Sequence, residues 1–482
     1  MVRYIVCNTY YIFGVIKLAI RYKGNGKYAY ETHNKWNKEK KKYETVWKYL
    51  GVVNPDTGEY QKKRDKKKEL LILNYGDSFA LNEYAVKSGL YRLTESVFGK
   101  LVQTIFALCF FKLLDSAAMQ HAAAWLDGNY AKILFPDADL STQRISDCLK
   151  IIGDEGFQRE FFKRYLKKVY SKNGVIIDST GLPNDISFPL TAFGYHGGNV
   201  ENETRLLMVI DKENTQPLYF RYMAGNIVDV TTLETTVKEI KMMGVDANYA
   251  LLDAGYYSEM NIKSLYASNI SFLIRLPAGR TLFAELIEKT YQTIETPTNR
   301  IIYGERVLFI QKVAVTLYDE HSAFAYVCCD IKRKADETVK LLIETKEDGL
   351  SDEEITKKLK RAGMFVLLSA SDVPNTEILP LYYLRQSAEQ IFQVGKSHAD
   401  MLPIRVHSEA AFRGVLFLNF LSIVLYINFR DQLPKNVTVE AAFKELRNLM
   451  CKIFDDDSIL PSVPNKKQRL ILEAIVDTVG NF

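Results

Sequence analysis

Short apolar runs, each closed by a polar or turn-forming residue, dominate the chain after Gly174. Val175-Ile-Ile177 ends in Asp178, Tyr249-Ala-Leu-Leu252 ends in Asp253, and Met364-Phe-Val-Leu-Leu368 leads into a helical segment. Unbroken runs of this length predict strands buried on both faces. Residues 205–210 and 218–223 predict two more strands, joined by the polar turn Asp211-Lys-Glu-Asn214. Leu233, Val237 and Ile240 recur at helical spacing within 230–243, and 258–269 predicts a further helix before a strand at 271–276. The order from Gly174 is therefore β-β-β-α-β and then α-β. The first and fourth strands each deliver an aspartate at the carboxyl end. The pattern then changes: 300–331 reads as β-rich and 332–361 as charged and helical.

The chain before Gly174 divides in two. Residues 1–75 predict short strands and turns, with Asn54-Pro-Asp-Thr-Gly58 as a turn. Residues 77–170 predict helices, including a capped amphipathic one over Ser141–Leu149. At the other end, 414–427 is the most hydrophobic stretch. It is short for a membrane span and contains Asn419, so it predicts a buried core helix, flanked by further helices at 438–454 and 465–476. The resulting segments are a basic β-rich region (1–75), a helical region (76–170), an α/β region (171–405) and a C-terminal helical region (406–482).

Composition changes the picture only locally. A chain of 482 residues, 47% hydrophobic and 25% charged, is that of a folded soluble protein of several domains. The net charge of +5 is modest, but Lys38, Lys40, Lys41, Lys42 and then Lys62, Lys63, Arg64, Lys66, Lys67 and Lys68 form two blocks beside the Asn54–Gly58 turn. Such blocks suit a phosphate backbone, or simply solvated loops. The six cysteines lack C-x-x-C spacing, which fits a reducing compartment, and the six scattered histidines lack zinc spacing. His196 and His398 read as ordinary histidines. The apolar start, Met1–Ile20, is interrupted by Asn8 and Lys17 and reads as strand.

The segment from Leu381 to Lys396 carries the most chemistry. Read as one helix, it places Tyr382, Arg385, Glu389 and Lys396 in an arc of about 60° beside an apolar stripe, over roughly 21 Å. A carboxylate between cations on a rigid support suits a phosphodiester, although Arg385 and Glu389 at i, i+4 also match an ordinary surface pair. Asp178, Asp253 and Glu389 can converge, because sites in α/β sheets gather at the carboxyl ends of strands. Three carboxylates suit two divalent ions. Taken singly, Asp178 could be a turn residue and Asp253 a strand-ending cap.

The acids, their strand order and the spacing Tyr382-x2-Arg385-x3-Glu389-x6-Lys396 resemble the DDE transposases of bacterial insertion sequences, in the hairpin-forming group with the signature Y-(2)-R-(3)-E-(6)-K. Gly225-Asn226-x2-Asp229, Asp253-Ala-Gly-Tyr256 and Phe272-Leu-Ile-Arg275 fit the same pattern, and the likeness covers nearly the whole chain. It implies an α/β, RNase H-like fold: a mixed five-stranded sheet with helices, interrupted by a β-rich insertion at about 281–363. It further implies Asp178, Asp253 and Glu389 as catalytic metal ligands for two Mg²⁺ ions, with Mn²⁺ able to substitute. Tyr382, Arg385 and Lys396 would grip terminal DNA. The implied activity is binding of terminal inverted repeats, endonucleolytic release of a 3′-OH, a hairpin step and strand transfer into target DNA. The implied setting is a homodimer on double-stranded DNA in the bacterial cytoplasm, at the nucleoid and away from membranes. Relatives place an aromatic residue, often tryptophan, in the insertion to receive a flipped base. Here the tryptophans are Trp36, Trp47 and Trp125, all outside it. Tyr303, Phe309 or Tyr326 would stand in, or else serve as core strand residues. Tyr383 and Arg275 are further DNA-contact candidates. The other readings are an RNase H-like nuclease that cuts without joining, and an inactive DNA-binding repressor.

Overall fold

A computed structural model describes residues 19–62, 67–115, 117–184, 186, 188–196, 199–227, 231–318, 320–344, 351–397, 406 and 408–475. Asp229, His398 and the segment before Ala19 lie outside the described residues, as does the side chain of His196. The chain divides into two compact units. One comprises residues 1–71 with Ile453–Ile459; the other comprises 72–452 with 460–482.

In the first unit, Ala19–Lys23, Tyr28–Asn37, Lys42–Val53 and Tyr60–Lys62 form an antiparallel meander in chain order. The Asn54–Gly58 turn is present: the Gly58 N–H donates to the Asn54 carbonyl at 2.9 Å, and Gly58 takes the left-handed φ of 70° that glycine tolerates.

The second unit is built on a ten-stranded sheet. Five strands form its centre: first Val175–Pro183, second Asn199–Asp211, third Pro217–Ala224, fourth Tyr249–Leu252 and fifth Ser271–Leu276. Their spatial order is third, second, first, fourth, fifth. The first three run antiparallel, while the first, fourth and fifth run parallel. That order and polarity are those of an RNase H-like sheet. The fifth strand pairs antiparallel with Met364–Ser369, and His321–Asp330, Arg306–Leu317 and Arg300–Tyr303 follow outward. The β-rich insertion thus extends the central sheet rather than folding apart from it. It begins with a helix, Thr281–Thr290, and also carries Ile331–Glu344 and Asp352–Arg361.

Helices before and after the sheet share one core. The predicted apolar helix runs Glu409–Gln432 and is buried on nearly every side, as a core helix is. It packs on Thr142–Ile152 at two glycines: a Cβ on Gly414 would fall 1.9 Å from the Leu149 carbonyl oxygen, and one on Gly153 1.8 Å from that of Ala410. Helices predicted within 77–170 and at about 408–430 therefore lie within the same compact unit as the sheet. Ser141 stands at the N-cap position, but its side chain makes no cap hydrogen bond. The helix predicted over 438–454 ends at Arg447, and Met450–Phe454 is a strand.

Two further differences bear on the site. The first central strand does not end at Asp178 but continues to Pro183, because the partner strand pairs through Glu203. The segment read as one helix is two, Asn375–Tyr383 and Gln386–Ser397. At the join, the N–H groups of Arg385, Ser387 and Ala388 reach carbonyls three residues back, and the Ser387 hydroxyl donates to the Leu384 carbonyl at 2.6 Å. A tightened turn with a side chain competing for a backbone carbonyl interrupts the α-helical ladder there.

Candidate active site

Parallel pairing of Ile177 with Leu252 sets Asp178, inside the first strand, beside Asp253, which follows the end of the fourth. The break between the two helices places Arg385 opposite them, with Glu389 one turn into the following helix. Each guanidinium nitrogen then faces a different acid. Arg385 Nη1 donates to Asp178 Oδ2 at 2.8 Å and Nη2 to Glu389 Oε1 at 2.7 Å, while Nε stands 3.8 Å from Asp253 Oδ1. The bond from Arg385 to Asp178 spans 207 positions of the chain, so one planar cation draws distant acids together.

The three acids differ in setting. Asp178 is 7% exposed, and its other oxygen accepts from the Ser179 N–H at 2.9 Å. Asp253 is half-buried and Glu389 exposed. Glu389 lies in the first turn of its helix, where the macrodipole favours a negative charge, and Lys396 lies in the last turn, where it favours a positive one. Burial works against the charge of Arg385, but Asp178, Asp253, Tyr382 and Glu389 outweigh it and hold its pKa above the ordinary arginine range.

The remaining predicted residues gather here too. Tyr382 is 6% exposed; burial raises its phenol pKa, with Arg385 opposing the shift. Lys396 donates from Nζ to Thr180 Oγ1 at 2.9 Å. Burial lowers its pKa, and the fully buried Glu203 works against that shift. A cavity of about 160 Å³ adjoins Glu389 and Arg385 and is lined also by Arg275, Arg306, Arg333 and Tyr383. Arg306 donates from Nη1 to the Tyr383 hydroxyl at 2.8 Å and from Nε to Asp330 Oδ2 at 2.8 Å. Tyr303 stacks on Tyr383, with ring centroids 5.1 Å apart and planes within 12°. Tyr326 is instead a core residue whose hydroxyl donates to the Val373 carbonyl at 2.6 Å, and Phe309 is half-buried in the insertion hairpin.

Thr180, Arg306 and Arg333 were not singled out by sequence. Thr180 left a usable signal, since it shares a strand face with Asp178 two residues earlier. Arg306 and Arg333 left none, because the insertion's strand Arg306–Leu317 and helix Ile331–Glu344 bring them in.

Among the described residues, no three His, Cys, Asp or Glu side chains stand close enough to hold one ion as they lie. The donor set nevertheless suits hard divalent cations: three carboxylates already converge on a single positive group. The arrangement can neutralise concentrated negative charge and present arginines to a phosphate beside it.

The family model for the transposase DDE domain matches residues 170–425, more than half of the chain. The cryo-EM structure of a piggyBac transposase synaptic complex with hairpin DNA is similar, at 9% sequence identity and a TM-score of 0.41, over 78% of this chain and 70% of that one. No curated protein matches the chain. Members of this family use divalent metal ions, and the central sheet, the acids and the matched span lead to one assignment. The chain belongs to the DDE transposase family, enzymes that cut DNA and transfer its strands.

Proposed function

We propose that this protein moves an insertion element by binding its terminal inverted repeats as a homodimer, cutting at the ends and joining the freed 3′-OH to target DNA through hairpin ends. The observation that carries this reading is the convergence of Asp178, Asp253 and Glu389 on one cation at the carboxyl edge of the sheet. These acids are the proposed ligands of two Mg²⁺ ions, replaceable by Mn²⁺. Bound there, the ions would supply Lewis-acid activation of the attacking oxygen and stabilise the leaving one.

The chain's own groups fix the geometry. Asp178, held by the Ser179 N–H on a buried strand, is the rigid member of the set, and Glu389 is the exposed one that closes it. Tyr382, Arg385 and Lys396 position the phosphates of the terminal strand, with Lys396 tied to Thr180, two residues along the strand from Asp178. The stacked Tyr303–Tyr383 pair, backed by Arg306, offers the ring face that the insertion lacks as tryptophan. A base stacked there is worth about 1–3 kcal/mol. The basic N-terminal region (1–75) and the helical segment (76–170) are the proposed readers of the repeats, and the segment 406–482 the proposed dimer contact.

The test uses the full chain, Mg²⁺ and linear DNA carrying the element's own ends. Asp178→Ala, Asp253→Ala and Glu389→Ala should each lower cleavage and joining by about 100-fold or more while end binding persists. Cleavage with no joined product would identify a nuclease. End binding with no cleavage by the unaltered protein would identify a repressor. Full activity in Glu389→Ala would remove the proposed site altogether.

A further inference from the structure

The resemblance assigns Arg385 to DNA, but the geometry gives that side chain a prior engagement. All three of its guanidinium nitrogens face the acids, one each, at 2.8, 2.7 and 3.8 Å. The side chain is mostly buried, and Asp178 beneath it more so. A cation placed against the same oxygens would meet the guanidinium at contact distance, and like charges this close repel strongly in a partly desolvated site. Ion and arginine therefore cannot both hold these carboxylates in this arrangement.

Removing the arginine without replacement is equally unfavourable. Asp178 would keep its burial and lose its charged partner, and Asp253 and Glu389 would add repulsion. The acids need one positive occupant at all times. Next to Arg385 lies the cavity of about 160 Å³ lined by Arg275, Arg306 and Tyr383, which is wide enough for a phosphate group and is lined also by the exposed Glu389. A DNA phosphate seated there would accept the forked donors that Arg385 now spends on carboxylates. The turn at Leu384–Arg385, where the helix is already broken, gives the side chain a pivot off the regular ladder.

We infer that Arg385 is a positioning residue that holds Asp178, Asp253 and Glu389 together until divalent ions arrive, and that a DNA phosphate draws it away so that the ions can take its place. DNA binding and ion binding are then coupled through one side chain, and the DNA-free protein takes up divalent ions weakly. This inference rests on the proposed ion site, and its test separates the two.

Mn²⁺ binding to the full chain is titrated by electron paramagnetic resonance, with and without a duplex carrying the element's end, in unaltered protein, Arg385→Gln and Arg385→Lys. Without DNA, Arg385→Gln should bind Mn²⁺ about tenfold more tightly than the unaltered protein, and Arg385→Lys should fall between, because an ammonium cannot fork to three acids. DNA should tighten Mn²⁺ binding to the unaltered protein and leave Arg385→Gln little changed. Adding Asp178→Asn to Arg385→Gln should abolish the gain, which locates the ion. In EDTA, Arg385→Gln should melt below the unaltered protein and recover more of its Tm on addition of Mg²⁺. This readout needs no activity, and a plain packing role would not produce the recovery. Equal or weaker DNA-free Mn²⁺ binding by Arg385→Gln, with DNA-dependent binding intact in the unaltered protein, overturns this inference alone. Absence of Mn²⁺ binding in every protein, with or without DNA, overturns the ion site and this inference together.

Discussion

In the central sheet Arg385 is ringed by three carboxylates, whereas in the N-terminal meander Lys23 lies 3.9 Å over the face of Trp47 and Arg21 5.9 Å over the same ring. Pairing of the first three meander strands puts Arg21, Lys23, Tyr30, Trp36, Tyr43, Trp47 and Tyr49 on one face. The positions of these strands on that face include no aspartate or glutamate. The central strands bury apolar side chains on both faces, and the fourth strand is wholly buried from Ala250 to Leu252. The meander instead exposes its rings, Tyr43 at 69% and Trp36 at 47%. In the central sheet the charge of Arg385 is neutralised internally, so this side chain meets a phosphate only when something displaces the acids. Charge in the meander is held by ring quadrupoles, which leave the positive potential open to a phosphate backbone. The same residue types thus serve a switchable site in one sheet and a standing attraction in the other.

The largest expected effect tests the packing half of this contrast. Leu251→Ala, in the middle of the fourth strand and fully buried, should cost about 2–5 kcal/mol by denaturant unfolding. Tyr43→Ala in the meander should change stability by no more than about 0.5 kcal/mol. Comparable losses from the two would mean that the meander rings form a structural core, and the contrast would collapse.

A smaller effect tests the electrostatic half. Arg21→Gln combined with Lys23→Gln removes both cations from the aromatic face without touching the acids. Binding to element-end DNA should weaken about tenfold, and the slope of log affinity against log salt should fall by about two. Cleavage at saturating DNA should persist. An unchanged salt slope in a titration by fluorescence anisotropy would show that this face does not meet phosphate.

Which parts of this arrangement could be read from sequence follows from how local their causes are. Tyr249–Leu252 and Ser271–Leu276 match their expected bounds, because strands covered on both faces are unbroken apolar runs with polar ends. The four polar residues of the 382–396 segment were legible as a group through their spacing alone. The interruption at Leu384–Arg385 was not, since it depends on backbone hydrogen bonds to residues three back and on the Ser387 hydroxyl, while the apolar stripe runs through it unchanged. Ala192–His196 was missed because Phe193 is exposed and the strand has no apolar run to mark it. The contact of Arg385 with Asp178 is set by sheet order and by the path of the insertion, neither of which leaves a pattern near either residue. Helix Thr281–Thr290 was absorbed into a β-rich reading although Phe283, Leu286, Ile287 and Thr290 recur at helical spacing.

The smallest effect concerns Lys396, a cation of the central site whose hydrogen bond goes to a hydroxyl rather than to a carboxylate. Lys396 donates to Thr180, on the same strand face as Asp178, and burial already lowers its pKa. Thr180→Val keeps the shape of the side chain and removes the acceptor. The lost hydrogen bond is worth about 1 kcal/mol, so strand transfer at fixed DNA should fall by about fivefold. Unfolding should shift little, because valine suits a strand. If Lys396 were only a solvated end-of-helix charge, Thr180→Val would leave strand transfer unchanged. A fall in strand transfer with stability held constant would instead place Lys396 among the groups whose position the central sheet controls, as it controls Arg385, and unlike the cations of the meander.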